Sequence, residues 1–165
     1  MNIRRASIED AESIACIGSA VWATTYATNG VSTTIARSIQ GQFAPHQIAS
    51  ELSGSGRCFW ILDAEEGPAG FAEVAINSDD AEVDRIYILE RFCGMGHGSA
   101  LLRALSQELF QDGIRRIWLS VWSQNKRAIE FYRKAGWKHV SDTEFILDGV
   151  PHLNHVFETH KSYIG

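Results

Sequence analysis

The chain has 165 residues, of which 45% are hydrophobic and 21% charged, and its net charge is −5. That is enough apolar sequence for one domain to bury a core, and it excludes a disordered chain. No Lys/Arg run occurs, so nucleic acid is excluded as an expected partner, because phosphate binding needs clustered positive charge; an acidic surface suits a cationic substrate better.

The N-terminus, MNIRRASIED, has no apolar stretch after its two arginines, so no signal peptide is expected. No window approaches the length of a membrane span, and no membrane partner is expected. Cys16, Cys58 and Cys93 are widely spaced and lack a CxxC pairing. They argue against a disulfide framework or zinc site and fit a reducing, cytoplasmic setting. Cys16 and Cys58 read as small core residues.

The chain reads as one domain over 1–165, without repeats or linkers. Ile3 to Ala6 suits a first strand. Ser7 opens a Ser-x-x-Asp capping box that ends at Asp10. Behind it Ala11, Ile14, Ala15, Gly18, Val21 and Trp22 recur at helical spacing, which predicts a helix with one buried face. A looser helical region follows, broken near Gly41, restarted at Pro45 and ended by Gly54-Ser55-Gly56. The period then changes. Strands are predicted over Cys58–Asp63, Phe71–Ile76 and Glu82–Leu89, with turns at Glu66-Gly67-Pro68 and Asn77-Ser78-Asp79-Asp80. Leu101, Leu102, Leu105 and Leu109 mark a helix over Ser99–Gln111, with Gly113 as its stop. Arg116–Trp122 is a further strand. Asn125 caps a helix whose buried face carries Ala128, Ile129, Tyr132 and Ala135, and Gly136 ends it. Two last strands flank the hairpin signal Asp148-Gly149.

Short turns predict antiparallel pairs in the middle and at the end. The helix between the Glu82 and Arg116 strands predicts that those two run parallel. The fold class is therefore α/β, a mixed and largely antiparallel sheet of six to seven strands with helices on both faces.

The segment Ile86 to Leu102 contains Cys93-Gly94-Met95-Gly96-His97-Gly98-Ser99, three alternating glycines where a strand becomes a helix. Glycine permits unusual backbone angles and close approach of a ligand. The first N–H groups of a helix have no internal acceptor and carry partial positive charge, which suits a pyrophosphate. It is not a Walker loop, since no Lys-Ser/Thr follows the glycines. Nor is it a dinucleotide fingerprint, whose glycines are spaced G-x-G-x-x-G with an acid about twenty residues on.

This run resembles the acetyl-CoA loop of the GNAT acetyltransferases, [Gln/Arg]-x-x-Gly-x-[Gly/Ala] before a Leu-Leu helix start. Aligned on Leu101-Leu102, Gly96 and Gly98 take the two small positions, and Cys93 departs from the usual Gln or Arg. A frame starting at Arg91 restores the Arg but displaces the leucines. Downstream, Asn125-Lys126-Arg127-Ala128-Ile129-Glu130-Phe131-Tyr132-Arg133-Lys134-Ala135-Gly136-Trp137 resembles the family's N-x-x-A-x-x-F-Y-x-x-x-G-[F/W] segment. The pair is more specific than either motif, and the resemblance covers about residues 56 to 160.

The resemblance implies acetyl-CoA as co-substrate, an N-acetyltransferase, and a homodimer as an option. It implies that the main chain from Gly94 to Ser99, with Cys93, binds pyrophosphate. Ile86, Ile88 and Asn125 would contact the CoA arm, and Tyr132 would point its hydroxyl at the thioester sulfur. Read from the residues alone, Tyr132 is equally a core tyrosine and Asn125 a helix N-cap.

Direct attack by a neutral amine on the acetyl thioester needs a base, an oxyanion donor and an acid for the thiolate. Glu82 and Asp84 project from one side of their strand and are the candidate bases. Glu82 takes the place of a general-base glutamate in some family members, and Glu73 is a third option. A backbone N–H near Ile88 would serve the oxyanion. His152 and His155 face opposite ways on a strand, so no metal is expected.

Within the family, Asp84-Arg85-Ile86-Tyr87-Ile88, Ile117 to Trp122 and Trp22-Ala-Thr-Thr-Tyr26 look most like the PaiA-type bacterial acetyltransferases of spermidine and spermine. Acids at Asp79, Asp80, Glu82, Asp84 and Glu90 would attract such a polyamine. Two alternatives stay open. One is a GNAT acting on a peptide N-terminus, an amino acid or an antibiotic. The other is a non-catalytic acyl-CoA-binding module.

Overall fold

The computed structural model describes residues 1–27, 29–147 and 150–161. In chain order it contains β1 (Asn2–Arg5), α1 (Ala11–Tyr26), α2 (Thr33–Gln42), α3 (Pro45–Ser53), β2 (Arg57–Asp63), β3 (Pro68–Asn77), β4 (Asp80–Ile88), α4 (His97–Gln111), β5 (Arg116–Trp122), α5 (Lys126–Lys134), β6 (Lys138–Leu147) and β7 (Val150–His160). Seven strands form one sheet in the order β1-β2-β3-β4-β5-β7-β6. The pairs β1·β2, β5·β7 and β6·β7 are antiparallel, and β4·β5 is parallel, as the helix between them requires. The chain clusters into two compact units, Met1–Val74 with Arg85–Leu105, and Ala75–Asp84 with Ser106–Gly165.

In the first unit, the start of α1 is fixed electrostatically. Asp10 accepts the Ser7 backbone N–H at 2.7 Å, and Arg4 on β1 donates to both Asp10 oxygens at 2.8 and 2.9 Å. Arg4 also reaches Asp63 on β2 at 2.7 Å. Behind this clamp Ala11, Ile14, Ala15 and Ile17 of α1 pack with Ile48 of α3, Phe59 and Ile61 of β2 and Phe71 of β3. Phe43 completes this core, and a Cβ on Gly18 of α1 would run into its ring.

Two expectations are corrected here. Gly41 lies inside α2, and the break falls at Phe43-Ala44. Ala44 precedes Pro45 and is extended (φ −65°, ψ 130°), because proline disfavours the helical region for its predecessor. Cys16 is exposed rather than buried, since it lies on the face of α1 opposite Ile14 and Gly18.

The second unit is built on β5 and β7. Ile117, Leu119, Phe157 and Thr159 are buried on one sheet face, and they pair directly as Ile117↔Thr159 and Leu119↔Phe157. α5 covers this face through Tyr132, whose ring centroid is 6.0 Å from Phe157 and 6.1 Å from Trp137. Its C-terminus closes as the sequence predicts: Gly136 takes φ +85° and Trp137 N–H donates to Tyr132 C=O at 3.0 Å. Gly113 does the same for α4 at φ +96°. The expected turn at Asp148-Gly149 lies outside the described residues, and the flanking register is Leu147↔Val150.

Candidate active site

In the first unit, β4 ends at Ile88, and Leu89 N–H donates to Ala69 C=O at 2.9 Å. One turn of 3-10 helix, Glu90–Phe92, leads into the glycine loop. Gly94 and Gly96 take φ +77° and +82°, a region that side chains disfavour. α4 begins at His97, two residues earlier than predicted, and Ala100 N–H is already bonded to Gly96 C=O at 3.0 Å. His97, Gly98 and Ser99 thus form the first turn, whose N–H groups are the natural donors for an anion.

Cys93 turns back toward the strand, its thiol donating to Ile88 C=O at 3.6 Å and Leu89 C=O at 3.7 Å. Arg91 stacks on Phe92, its guanidinium carbon 5.2 Å from the ring centroid. Ile86 and Ile88 are half-buried along the last residues of β4. A groove of about 320 Å³ opens beside this strand end, between Ala20, Val21, Thr24 and Thr25 of α1 and Ile88 to Arg91.

One residue of this region escaped the sequence reading. A Cβ on Gly70 of β3 would stand 2.8 Å from Tyr87 C=O and 2.8 Å from Ile88 Cγ1. Gly70 therefore lets β3 press against the end of β4. A glycine directly ahead of the predicted Phe71–Ile76 strand, which in the structure begins at Pro68, was the available signal.

Glu73, the third candidate base, is engaged by two arginines. It is fully buried, Arg85 donates to it at 2.7 Å, and Arg57 pairs with its other oxygen. Tyr87 is structural: it packs edge-on to Phe71 and Phe43 with centroids 5.6 and 6.0 Å away, and burial pushes its hydroxyl up to about 12.

In the second unit, Asp80↔Arg116, Ala81↔Ile117 and Glu82↔Trp118 are the pairs between β4 and β5. Among the described residues, the β4–β5 pairing runs no further than Glu82↔Trp118, while β5 keeps its partner β7 as far as Trp122↔Asn154. Directly opposed residues share a face. One face thus carries Glu82, Trp118, Ser120, Trp122 and Asn154, opposite to the face that α5 covers. Glu82 is half-buried and Asp84 exposed. Asp79 and Asp80 are engaged by Arg115 and Arg116, which narrows the acidic cluster read from sequence. Asn154 Nδ2 reaches Ser120 Oγ at 3.4 Å, while its Oδ1 is buried without a hydrogen-bond partner.

Tyr132 is 7% exposed and held among Phe131, Trp137 and Phe157. Asn125 Oδ1 accepts the Ala128 N–H at 3.1 Å, the N-cap bond of α5. Among the described residues, no helix is long and apolar enough to cross a membrane.

The family model described as acetyltransferase (GNAT) family matches residues 17–137. A Bacillus subtilis protein named as an acetyltransferase is 34% identical over 99 residues, 59% of this chain and 65% of that protein, so the chain spans just under two thirds of that relative. The spermidine N(1)-acetyltransferase of Thermoplasma acidophilum is 29% identical over 155 residues, 90% of this chain and 96% of that one. The crystal structure of the PaiA N-acetyltransferase from Thermoplasma acidophilum in complex with coenzyme A is similar with a TM-score of 0.80 at 27% identity, covering 96% of this chain and 98% of that one. The expected fold class holds with a seven-strand, mostly antiparallel sheet, and the chain belongs to the GNAT acetyltransferase family, the N-acetyltransferases that use acetyl-CoA.

Proposed function

We propose that this protein acetylates a primary amine of a polyamine such as spermidine or spermine, within a single cytoplasmic acetyltransferase domain. The observation that carries the substrate is the 29% identity to a spermidine N(1)-acetyltransferase over nearly the whole chain. Glu82 and Asp84 on one strand add acidic groups suited to a cationic acceptor.

In this reading the N–H groups from Gly94 to Ser99 hold the pyrophosphate, as helix N-termini do. Cys93 keeps its thiol on the carbonyls of Ile88 and Leu89, so its contribution is backbone, with Met95 and His97 adding main-chain donors. The pantetheine arm runs along the end of β4, where Ile86 and Ile88 contact it, as an added strand would. Asn125 gives its amide N–H to the same arm, its oxygen being used by Ala128.

Glu82 removes a proton from the acceptor ammonium, directly or through water, with Asp84 as the second carboxylate. A carboxylate of ordinary pKa ~4.3 is a weak base for an amine, so a relay fits better than direct abstraction. The neutral amine then attacks the thioester carbon, a backbone N–H near Ile88 stabilises the oxyanion, and the tetrahedral intermediate collapses. As the C–S bond breaks, Tyr132 protonates the departing thiolate, and the proton shed by the attacking nitrogen as the amide forms restores the phenol; a phenol near ~10 and a thiol near ~8.5 are close enough for this transfer. Asn154 Oδ1, buried and unsatisfied, supplies an acceptor for an N–H of the bound amine.

The test is thiol release from acetyl-CoA with spermidine, a neutral-tailed monoamine or a short peptide, for wild type and Tyr132→Phe. Spermidine-dependent release that falls about 100-fold or more in Tyr132→Phe is expected, the usual span for a lost general acid. Release only with the peptide or the monoamine would remove the polyamine and keep the acetyltransferase. Acetyl-CoA binding without turnover on any amine would favour a regulatory module.

A further inference from the structure

We propose that His139, Asp142 and His155 form a binding site for a divalent transition-metal ion, of the Zn2+, Co2+ and Ni2+ class, on the β6–β7 hairpin. Acetyl transfer uses none of these three residues.

The site is assembled by a backbone irregularity. In a regular strand, residues three apart point to opposite faces. β6 carries a register shift between His139 and Ser141, with His139↔Phe157 before it and Ser141↔Val156 after it. The extra residue, Val140, rotates the strand and brings His139 onto the face of Asp142. Asp142 pairs directly with His155 across the hairpin. Bulges of this kind re-aim side chains. The His152/His155 spacing cannot form the site, because those rings point apart; the partner of His155 comes from the neighbouring strand.

The donor atoms converge. His139 Nε2 lies 2.7 Å and His155 Nδ1 2.6 Å from the same oxygen, Asp142 Oδ1. The three donor atoms lie within 4.8 Å of one another. Metal bonds of about 2.0–2.2 Å put tetrahedral donors roughly 3.3 Å apart, so Asp142 Oδ1 and each nitrogen need open by less than about 1 Å, and the two nitrogens need close by no more than about 1.5 Å. They have room, with side-chain exposures of 37%, 46% and 23% for His139, Asp142 and His155. The rings are oriented beforehand: His139 packs at 5.6 Å on the buried Phe157 and at 4.7 Å on His155. Two imidazoles and one carboxylate are the donor set these borderline ions prefer, and solvent completes the coordination.

The test uses the full chain without a histidine tag, stripped with chelator and titrated with Zn2+ by calorimetry and with Co2+ by visible absorption. One ion per chain is expected, with Co2+ d–d bands and no thiolate charge-transfer band. Binding should weaken at least about tenfold in each of His139→Gln, Asp142→Asn and His155→Gln, and stay unchanged in His152→Gln. Should a variant fail to fold, the imidazole resonances of wild type decide the matter, since only those of His139 and His155 should move with Zn2+. No uptake, binding retained in all three variants, or a thiolate band from Cys16, Cys58 or Cys93 would overturn the site.

Discussion

Glu73 shows how burial decides the role of a single side chain. Its position on β3, the strand before the one that enters the glycine loop, allows a catalytic base. In the fold it is fully buried, with Arg57 and Arg85 on its two oxygens and Glu51 sharing Arg85 at 3.3 Å. Removing one partner of a buried pair strands the other charge, so Glu73→Ala should lower stability by about 3–5 kcal/mol, read by denaturant unfolding. A loss of activity with unchanged stability would instead favour Glu73 as the base.

Asp10 offers a pH counterpart. Hydrogen bonds from Arg4 hold its carboxyl below the usual range. Its folded pKa is therefore depressed. The stability it contributes is present above the unfolded carboxylate value near ~3.9 and is lost as pH falls through the lower folded value. The midpoint of thermal unfolding should drop more steeply below about pH 4 in wild type than in Asp10→Asn. Equal slopes would show that this clamp does not govern acid unfolding.

At the scale of elements, the glycine loop and β3 make separate demands on glycine. Gly96 needs its positive φ but has open space around it. Gly96→Ala should cost about 1 kcal/mol of backbone strain and raise the KM for acetyl-CoA, leaving the amine KM nearly unchanged. Gly70 has ordinary angles but no room. Gly70→Ala must displace Tyr87 and Ile88, so it should lower kcat more than it raises the acetyl-CoA KM. Steady-state kinetics with both substrates varied separates the two patterns, and identical profiles would count against the assignment of the loop to pyrophosphate.

At the scale of the whole molecule, a single acetyltransferase domain should unfold in one cooperative transition, although the chain clusters into two units. Acetyl-CoA at about 100 times its Kd should stabilise it by roughly 2.7 kcal/mol and move one calorimetric peak as a whole. Two peaks, only one of which responds to acetyl-CoA, would show that the units melt independently.

Most of the architecture was legible in the sequence because its signals are local. The Gly113 and Gly136 stops, the Asn125 cap and the spacing of Leu101, Leu102, Leu105 and Leu109 depend on neighbours within a turn or two of chain. So does the glycine loop, since a positive φ at Gly94 and Gly96 is a property of the backbone itself. By contrast, the pairing of Glu73 with two arginines, the pressure of Gly70 on β4 and the meeting of His139 with His155 depend on strand register. Register is set by the sum of packing across the sheet, and no short stretch of sequence carries it. The chain by itself determined its elements, its family motifs and its candidate acid and bases; only the tertiary structure decided which charged and polar groups are already occupied by one another.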